Sequence, residues 1–197
     1  LAAVYKLDKS LSVYANYVEG LSQGQTAPST AANRGQMLSP YVSKQKEVGV
    51  KFDGGRVGGS VALFSTTKPR AYVGADNLFG SSGKDRHQGL ELAVQGEATK
   101  GLRLLGGLTW LDAKQLATGA ASTDGRRVIG VPKLQANVGA EWDVPGVSGL
   151  AVDGRLVHTG AVYANATNTL RVPGWNRLDL GVRYLTEVQG RLVTLRA

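Results

Sequence analysis

Among the side chains of this 197-residue chain that could move protons or hold a metal are the carboxylates Glu91, Glu97, Glu141 and Asp143 and the two histidines, His87 and His158. A pair of carboxylates can act as general acid and base when environment splits their roles. Glu141 and Asp143, however, stand two residues apart where polar and apolar residues alternate, so they share one face of a strand. There they read more simply as solvated, or as paired with Arg103 or Lys51, than as a catalytic couple. The histidines are isolated: His87 follows Lys84, Asp85 and Arg86, and His158 lies near a strand end, so neither joins a metal-ligand set. Cysteine is absent, which removes thiolate metal sites, cysteine nucleophiles and disulfides together. Gly80 to Lys84, GSSGK, is partly like a phosphate loop, but its first glycine is misplaced and Asp85 stands where Ser or Thr is required. No catalytic constellation is present, and a non-enzymatic role with no metal site and no cofactor is expected.

The elements that would position these residues are strands. From Arg86 to Lys114, two runs flank a polar turn, Ala98 to Gly101. Leu90, Leu92 and Val94 alternate with Glu91, Ala93 and Gln95, a period of two. The second run places Leu102, Leu104, Leu108 and Trp110 on one face, with Arg103, Leu105, Gly107 and Thr109 on the other. The same alternation recurs in Leu11–Glu19, Ser43–Asp53, Lys133–Asp143 and Trp175–Leu185. Arg56–Thr67 is apolar on both parities around Val61 to Phe64, which leaves its facing open. With Leu1–Leu7, Leu150–Ala161 and Arg191 onward, the chain reads as about ten strands.

Composition agrees with an all-β chain. Glycine reaches 27 residues, charged residues only 19%, and there is one methionine. The net charge of +8 points to an anionic partner, whether lipopolysaccharide or an acidic ligand. The basic residues are scattered, with no run longer than Arg126-Arg127, which argues against a nucleic-acid surface. No stretch is apolar for the roughly 18 residues that a spanning helix needs. Membrane insertion, if it occurs, is by a barrel.

Connection lengths favour that barrel. Turns of roughly three to six residues alternate with loops of roughly thirteen to twenty-three, the pattern of outer-membrane barrels with short periplasmic turns and long outer loops. The long loops are read as Gly20–Val42, Lys68–Asp85, Gln115–Pro132 and Val162–Gly174. Tyr17 and Trp110 near loop ends, with Phe52, Trp142 and Tyr184 near turn ends, suit two interfacial girdles. Trp175 is on the wrong parity and is assigned to the loop. A soluble β-sandwich is the competing architecture, although Greek-key connections mix lengths and ends.

Four blocks carry a family resemblance: PYVSKQKEVGVKFD (Pro40 to Asp53), RHQGLELAVQGEATKGLRLLGGLTWLDA (Arg86 to Ala113), GVPKLQANVGAEWD (Gly130 to Asp143) and VPGWNRLDLGVRY (Val172 to Tyr184). Together they resemble the C-terminal half of TonB-dependent siderophore receptors, over essentially all 197 residues. The resemblance implies an antiparallel transmembrane β-barrel of about 22 strands with an N-terminal plug. It also implies import of a ferric siderophore, driven by the TonB complex, through the bacterial outer membrane with its lipid and lipopolysaccharide. Residues 1–197 are then expected to be a partial barrel domain, without the plug, the TonB-contacting segment and the last strands. Alternatives are a TonB-dependent importer of cobalamin, haem or glycans, a passive porin, or an adhesin-like β-protein.

Within that reading, ligand contacts are expected in the long loops. Tyr72 and Phe79 in the second, Tyr163 in the fourth, and Arg70 and Arg127 form a candidate vestibule for an anionic iron chelate. Aromatic rings would supply apolar contact, and arginines charge and forked hydrogen bonding to chelate oxygens.

Overall fold

Period-two alternation produces strands along the whole chain. The computed structural model describes residues 1–74 and 76–197; Ala75, inside the expected second loop, lies outside the described residues. Among the described residues there are twelve strands: β1 (Ala2–Lys6), β2 (Leu11–Ser22), β3 (Tyr41–Asp53), β4 (Val57–Val73), β5 (Phe79–Thr99), β6 (Leu102–Leu116), β7 (Leu134–Asp143), β8 (Leu150–Thr159), β9 (Val162–Tyr163), β10 (Arg171–Val172), β11 (Trp175–Val188) and β12 (Arg191–Arg196). Ten form one antiparallel sheet in the order β1-β2-β3-β4-β5-β6-β7-β8-β11-β12, each paired with its neighbour in sequence. The short pair β9–β10 sits within the connection 160–174.

Cross-strand register sorts the side chains into two faces. Ala15, Val48, Leu63, Leu90, Trp110 and Leu134 form one row across β2 to β7. The row beside it on the opposite face runs Tyr14, Gly49, Ala62, Glu91, Thr109 and Gln135, then Thr159 and Trp175. One face is therefore apolar and the other carries the charge. The doubly apolar stretch of β4 is resolved by its neighbours: Val61 and Leu63 join the apolar face, while Ala62 and Phe64 turn to the polar one. Phe64 is accommodated there because its ring lies over Gly89, where a Cβ would come within 2.9 Å of it. Tyr14 covers Gly49 in the same way, its ring 2.6 Å from where a Cβ would stand.

No conventional core exists among the described residues. The buried apolar side chains are small, Ala27, Ala31, Ala62, Ala113, Val128 and Ala151, and the largest fully buried side chain is Gln115. Ala62, Ala113 and Ala151 lie on the polar face, between longer polar neighbours, whereas Leu63, Val138, Leu156 and Leu178 stand exposed on the apolar face. The register is also staggered. Leu11 and Phe52 lie at the turn ends of β2 and β3, yet their row reaches mid-strand at Val138 and Leu156. Such stagger is what tilts strands in a closed barrel.

The short connections lie at one end of the sheet. Ser10 and Leu11 donate three hydrogen bonds to Asp8, holding its carboxyl below the ordinary pKa and fixing the β1–β2 turn. At the β3–β4 turn, Gly55 adopts φ +77° and donates to Asp53. The β5–β6 turn narrows to residues 100–101, after a bulge between Glu97 and Thr99.

Two expectations are corrected. Residues 68–85 are not an irregular loop: β4 and β5 continue pairing to Val73 and Phe79, leaving residues 74–78 as the connection, and Gly80 to Lys84 is strand. Backbone pairing across a bulge near Arg70 sustains this hairpin where side-chain alternation has lapsed. Trp175 is not a loop residue. It opens β11, pairs with Thr159 and stands on the polar face.

Candidate functional site: the rim of linked long connections

The long connections and the β4–β5 tip share one end of the sheet, and side-chain amides join them in order. Asn33, from connection 23–40, donates to Phe79 O at 3.0 Å and accepts from Phe79 N at 2.8 Å, tying that loop to the β4–β5 tip. The tip reaches the next connection through Tyr72, whose hydroxyl donates to Ala117 O at 3.2 Å. Connection 117–133 is then bound to 160–174 by Gln115, whose Nε2 donates to Arg127 O (2.8 Å) and Ala166 O (2.9 Å). Asn168 adds a reciprocal pair, accepting from Arg127 N at 2.7 Å and donating to Arg127 O at 3.0 Å. Gly130 N also donates to Tyr163 O, at 2.9 Å. The result is a continuous rim in place of separate flexible loops.

A cavity of about 220 Å³ opens within this rim, lined by Arg70, Tyr72, Gln115, Thr118, Thr123 and Ala166 among others. Arg70 and Tyr72 of the five sequence-derived candidates thus meet. Arg70 is already paired with Asp85 at 3.1 Å, with side chains only 25% and 14% exposed. Phe79 lies at the β4–β5 tip and Tyr163 on β9, both outside the cavity lining. Arg127 is a bridge partner of Lys114, so its side chain is carried on the apolar parity, opposite Gln115. Asn33, Gln115 and Asn168, which hold the rim together, were not singled out from the sequence. Gln115 carries a weak signal in its parity, and Asn168 shows none until its left-handed φ of +58° is known.

Of the carboxylates considered for acid–base chemistry, Glu97, Glu141 and Asp143 are engaged elsewhere, and Glu91 lines a hollow on the polar face with no second carboxylate in its lining. Glu141 accepts from Arg103 (2.6 Å) and Arg183 (2.9 Å), joining β6, β7 and β11 on the polar face. Asp143 accepts from both Nη atoms of Arg103. Glu47 accepts from the Tyr14 hydroxyl at 2.7 Å, and Glu97 accepts from Gly101 N at 2.7 Å. His158 meets Asn176 at 2.7 Å on the apolar parity. No group of three or more His, Cys, Asp or Glu side chains that could hold a metal occurs among the described residues. The geometry is that of a two-faced sheet with a bound rim.

Sequence comparison matches residues 1–197 to the model of the TonB dependent receptor-like β-barrel. The chain belongs to the TonB-dependent receptor β-barrel family. It is 42% identical over 195 residues to the ferrichrome receptor FcuA of Yersinia enterocolitica, a match covering 96% of the chain and 26% of that relative. Among solved structures, that of BauA, the ferric preacinetobactin receptor from Acinetobacter baumannii, superposes with a TM-score of 0.88 at 40% identity. That match covers 99% of this chain and 30% of BauA. The siderophore receptor PiuA from the same organism shares the fold at 23% identity, with a TM-score of 0.78 over 93% of the chain and 28% of PiuA. The chain thus spans about a quarter of the length of the curated relatives it matches. As a member of this family, it is an antiparallel, outer-membrane β-barrel segment, and the family's barrels have 22 strands.

Proposed function

We propose that these residues form part of the barrel wall and the outer rim of a receptor that imports a ferric siderophore. The observation that carries this reading is the division of the sheet into two faces beneath a rim of linked connections. A row such as Val48, Leu63 and Leu90 would be too costly to leave in water on both sides of a wall, so the apolar face meets lipid hydrocarbon. The polar face, with Glu47, Glu91, Arg103 and Glu141, then lines the interior. The sheet's two unpaired edges, β1 and β12, call for further strands to complete the barrel. In this reading the plug, the TonB-contacting segment and the remaining strands lie outside residues 1–197, and energy coupling belongs to them.

FcuA is a ferrichrome receptor and BauA a ferric preacinetobactin receptor, at nearly equal identity to this chain. That supports a ferric siderophore as cargo without choosing one. Arg70 and Tyr72 in the rim cavity form the centre of the proposed contact surface, with Phe79, Tyr163 and Arg127 in the connections around it.

The test is uptake of radioactive iron, supplied as ferrichrome and as ferric preacinetobactin, by cells whose sole receptor is the full-length protein. Saturable, TonB-dependent uptake of either chelate is the expected outcome; uptake of haem or cobalamin alone would replace the cargo. Substituting Tyr72, Phe79 and Tyr163 together by alanine is expected to weaken chelate binding at least about tenfold, since each ring contributes on the order of 1 kcal/mol. Unchanged affinity would remove these residues from the contact surface.

A further inference from the structure

Gln115 lines the rim cavity and is only 1% exposed, yet half of its amide is unused. Its Nε2 spends both hydrogens on the carbonyls of Arg127 and Ala166, at 2.8 and 2.9 Å. Two carbonyl partners admit only the NH2 end of the amide, so its orientation is fixed and Oε1 is the end left over. Among the described residues Oε1 accepts no hydrogen bond, and it is not sealed off: the buried side-chain polar atoms without a partner are Asn16 Oδ1 and Arg127 Nη2. The opening that Oε1 keeps is the cavity. An acceptor so confined is costly to leave unmet, which calls for a donor in that space.

The other polar atoms of the lining are largely committed. Thr118 Oγ1 donates to Ala120 O at 3.1 Å and accepts from Thr123 Oγ1 at 2.8 Å. The Tyr72 hydroxyl donates to Ala117 O. Its ring is seated against Gly83 and Gly119, where an added Cβ would come within 2.9 Å of the ring and 2.8 Å of the hydroxyl. Arg70 directs Nη1 at both oxygens of Asp85, 3.1 and 3.4 Å away, and its Nε and Nη2 make no hydrogen bond among the described residues. The pair is neutral as a whole, so Arg70 offers donors without a net charge to draw an anion. At about 220 Å³ the cavity is smaller than the roughly 300–1,000 Å³ of pockets that enclose a whole small molecule, so it takes one arm of a ligand. An uncharged, flat group that donates at one end and accepts at the other is a secondary amide.

We infer that the rim cavity is a subsite for a secondary amide of the chelator, its N–H donated to Gln115 Oε1, its carbonyl accepting from Arg70 and its plane against Tyr72. This rests on the reading of the rim as the chelate contact surface, and it narrows the cargo to amide-bearing chelators. Asp85 sets the charge class of the arm. A carboxylate there would meet a guanidinium already neutralised by Asp85, and would place its own charge near both Asp85 and the Gln115 acceptor. An ester in place of the amide would keep the carbonyl and lose the donor, leaving Gln115 Oε1 unmet. Sites built to bond a particular N–H reject the analogue that lacks it for this reason.

The experiment uses the full-length receptor in detergent, with chelate affinity read by titration calorimetry. The probes are ferrichrome, ferric preacinetobactin and, for each, an analogue in which ester oxygens replace the amide N–H groups. The chelate that binds is expected to do so about tenfold more tightly than its ester. In Gln115→Met, which removes the acceptor, that ratio is expected to fall to about one whatever the overall affinity, because the ratio isolates the hydrogen bond from the loosened rim. Gln115→Lys keeps donors for both carbonyls and has no acceptor, and is expected to lose the ratio in the same way. Asn168→Gly loosens the same rim at Arg127 with Gln115 intact, and is expected to keep it. Heat-modifiable migration selects the variants that form a folded barrel. Equal affinities for amide and ester in the wild-type protein overturn the subsite and leave the receptor reading standing. A ratio that survives in either Gln115 variant, or collapses in Asn168→Gly, overturns it too. Binding of neither chelate by the wild-type protein overturns the contact-surface reading and the subsite with it.

Discussion

At the scale of single residues, neighbours in sequence are expected to behave oppositely. Val138 projects from the apolar face and is 60% exposed, in the row of Phe52, Gly106 and Leu156. Asn137 projects from the other face, in the row of Ala93, Gly107 and Val157, beside a hollow of about 390 Å³ on the polar face. Val138→Arg is therefore expected to cost about 2 to 4 kcal/mol if the residue lies near mid-bilayer. Asn137→Arg should cost far less, since the hollow admits the longer side chain and leaves its charge among polar groups. Denaturant titration of the reconstituted full-length receptor checks both, and equal losses would contradict the facing. The carboxylates make a related point. Glu141 and Asp143 read from sequence as solvated or paired, with Arg103 among the expected partners; Arg103 does pair with both, and Arg183 extends them into a brace across β6, β7 and β11.

At the scale of elements, the β5–β6 hairpin shows how a turn sets register. Gly96 lies just before the bulge, at φ +134°, and a Cβ there would come within 2.1 Å of Arg56 O on the neighbouring β4 end. Gly96→Ala is therefore expected to destabilise the barrel by about 2 kcal/mol or more, by combining a disfavoured dihedral with a backbone collision. Gly20, where an added Cβ would meet nothing within 4 Å and the φ is ordinary, is the control; Gly20→Ala should be nearly neutral. Heat-modifiable migration of the folded barrel reads both. The facing of Lys133–Asp143 was legible from sequence because every second residue is polar or glycine, and the structure pairs it in that register. The β4–β5 extension was not legible. Side-chain alternation lapses among Pro69, Gly74, Gly80 and Gly83, and what holds the hairpin is backbone pairing to Val73 and Phe79 with the Arg70–Asp85 ion pair, none of which leaves a periodic trace. Trp175 was misplaced for a similar reason: a large ring on the polar parity contradicts alternation, yet the polar row of Thr109, Gln135 and Thr159 continues to it. The rim was invisible because Asn33, Gln115 and Asn168 bind backbone atoms of distant connections, and such pairing has no local signature.

At the scale of the whole molecule, the ten-stranded sheet exposes far more surface than a self-sufficient protein would. A compact monomer of 20.7 kDa exposes about 8,900 Å². This chain exposes 12801 Å², with Val48, Leu63, Leu156, Leu178 and Leu180 among the uncovered side chains and both sheet edges open. Burial of its alanines cannot offset the ordering of so many residues, because fully burying a large apolar side chain is worth about 1.5–3 kcal/mol and here such side chains lie outside. Residues 1–197 expressed alone in water are therefore expected to aggregate through their edges and apolar face, without a cooperative melting transition. Analytical ultracentrifugation with calorimetry decides this: a monomeric species with a sharp melt would show that the apolar face finds cover within these residues. In the receptor proposed above, both liabilities would be lost at once, since closure would pair the edges and hydrocarbon would cover the face.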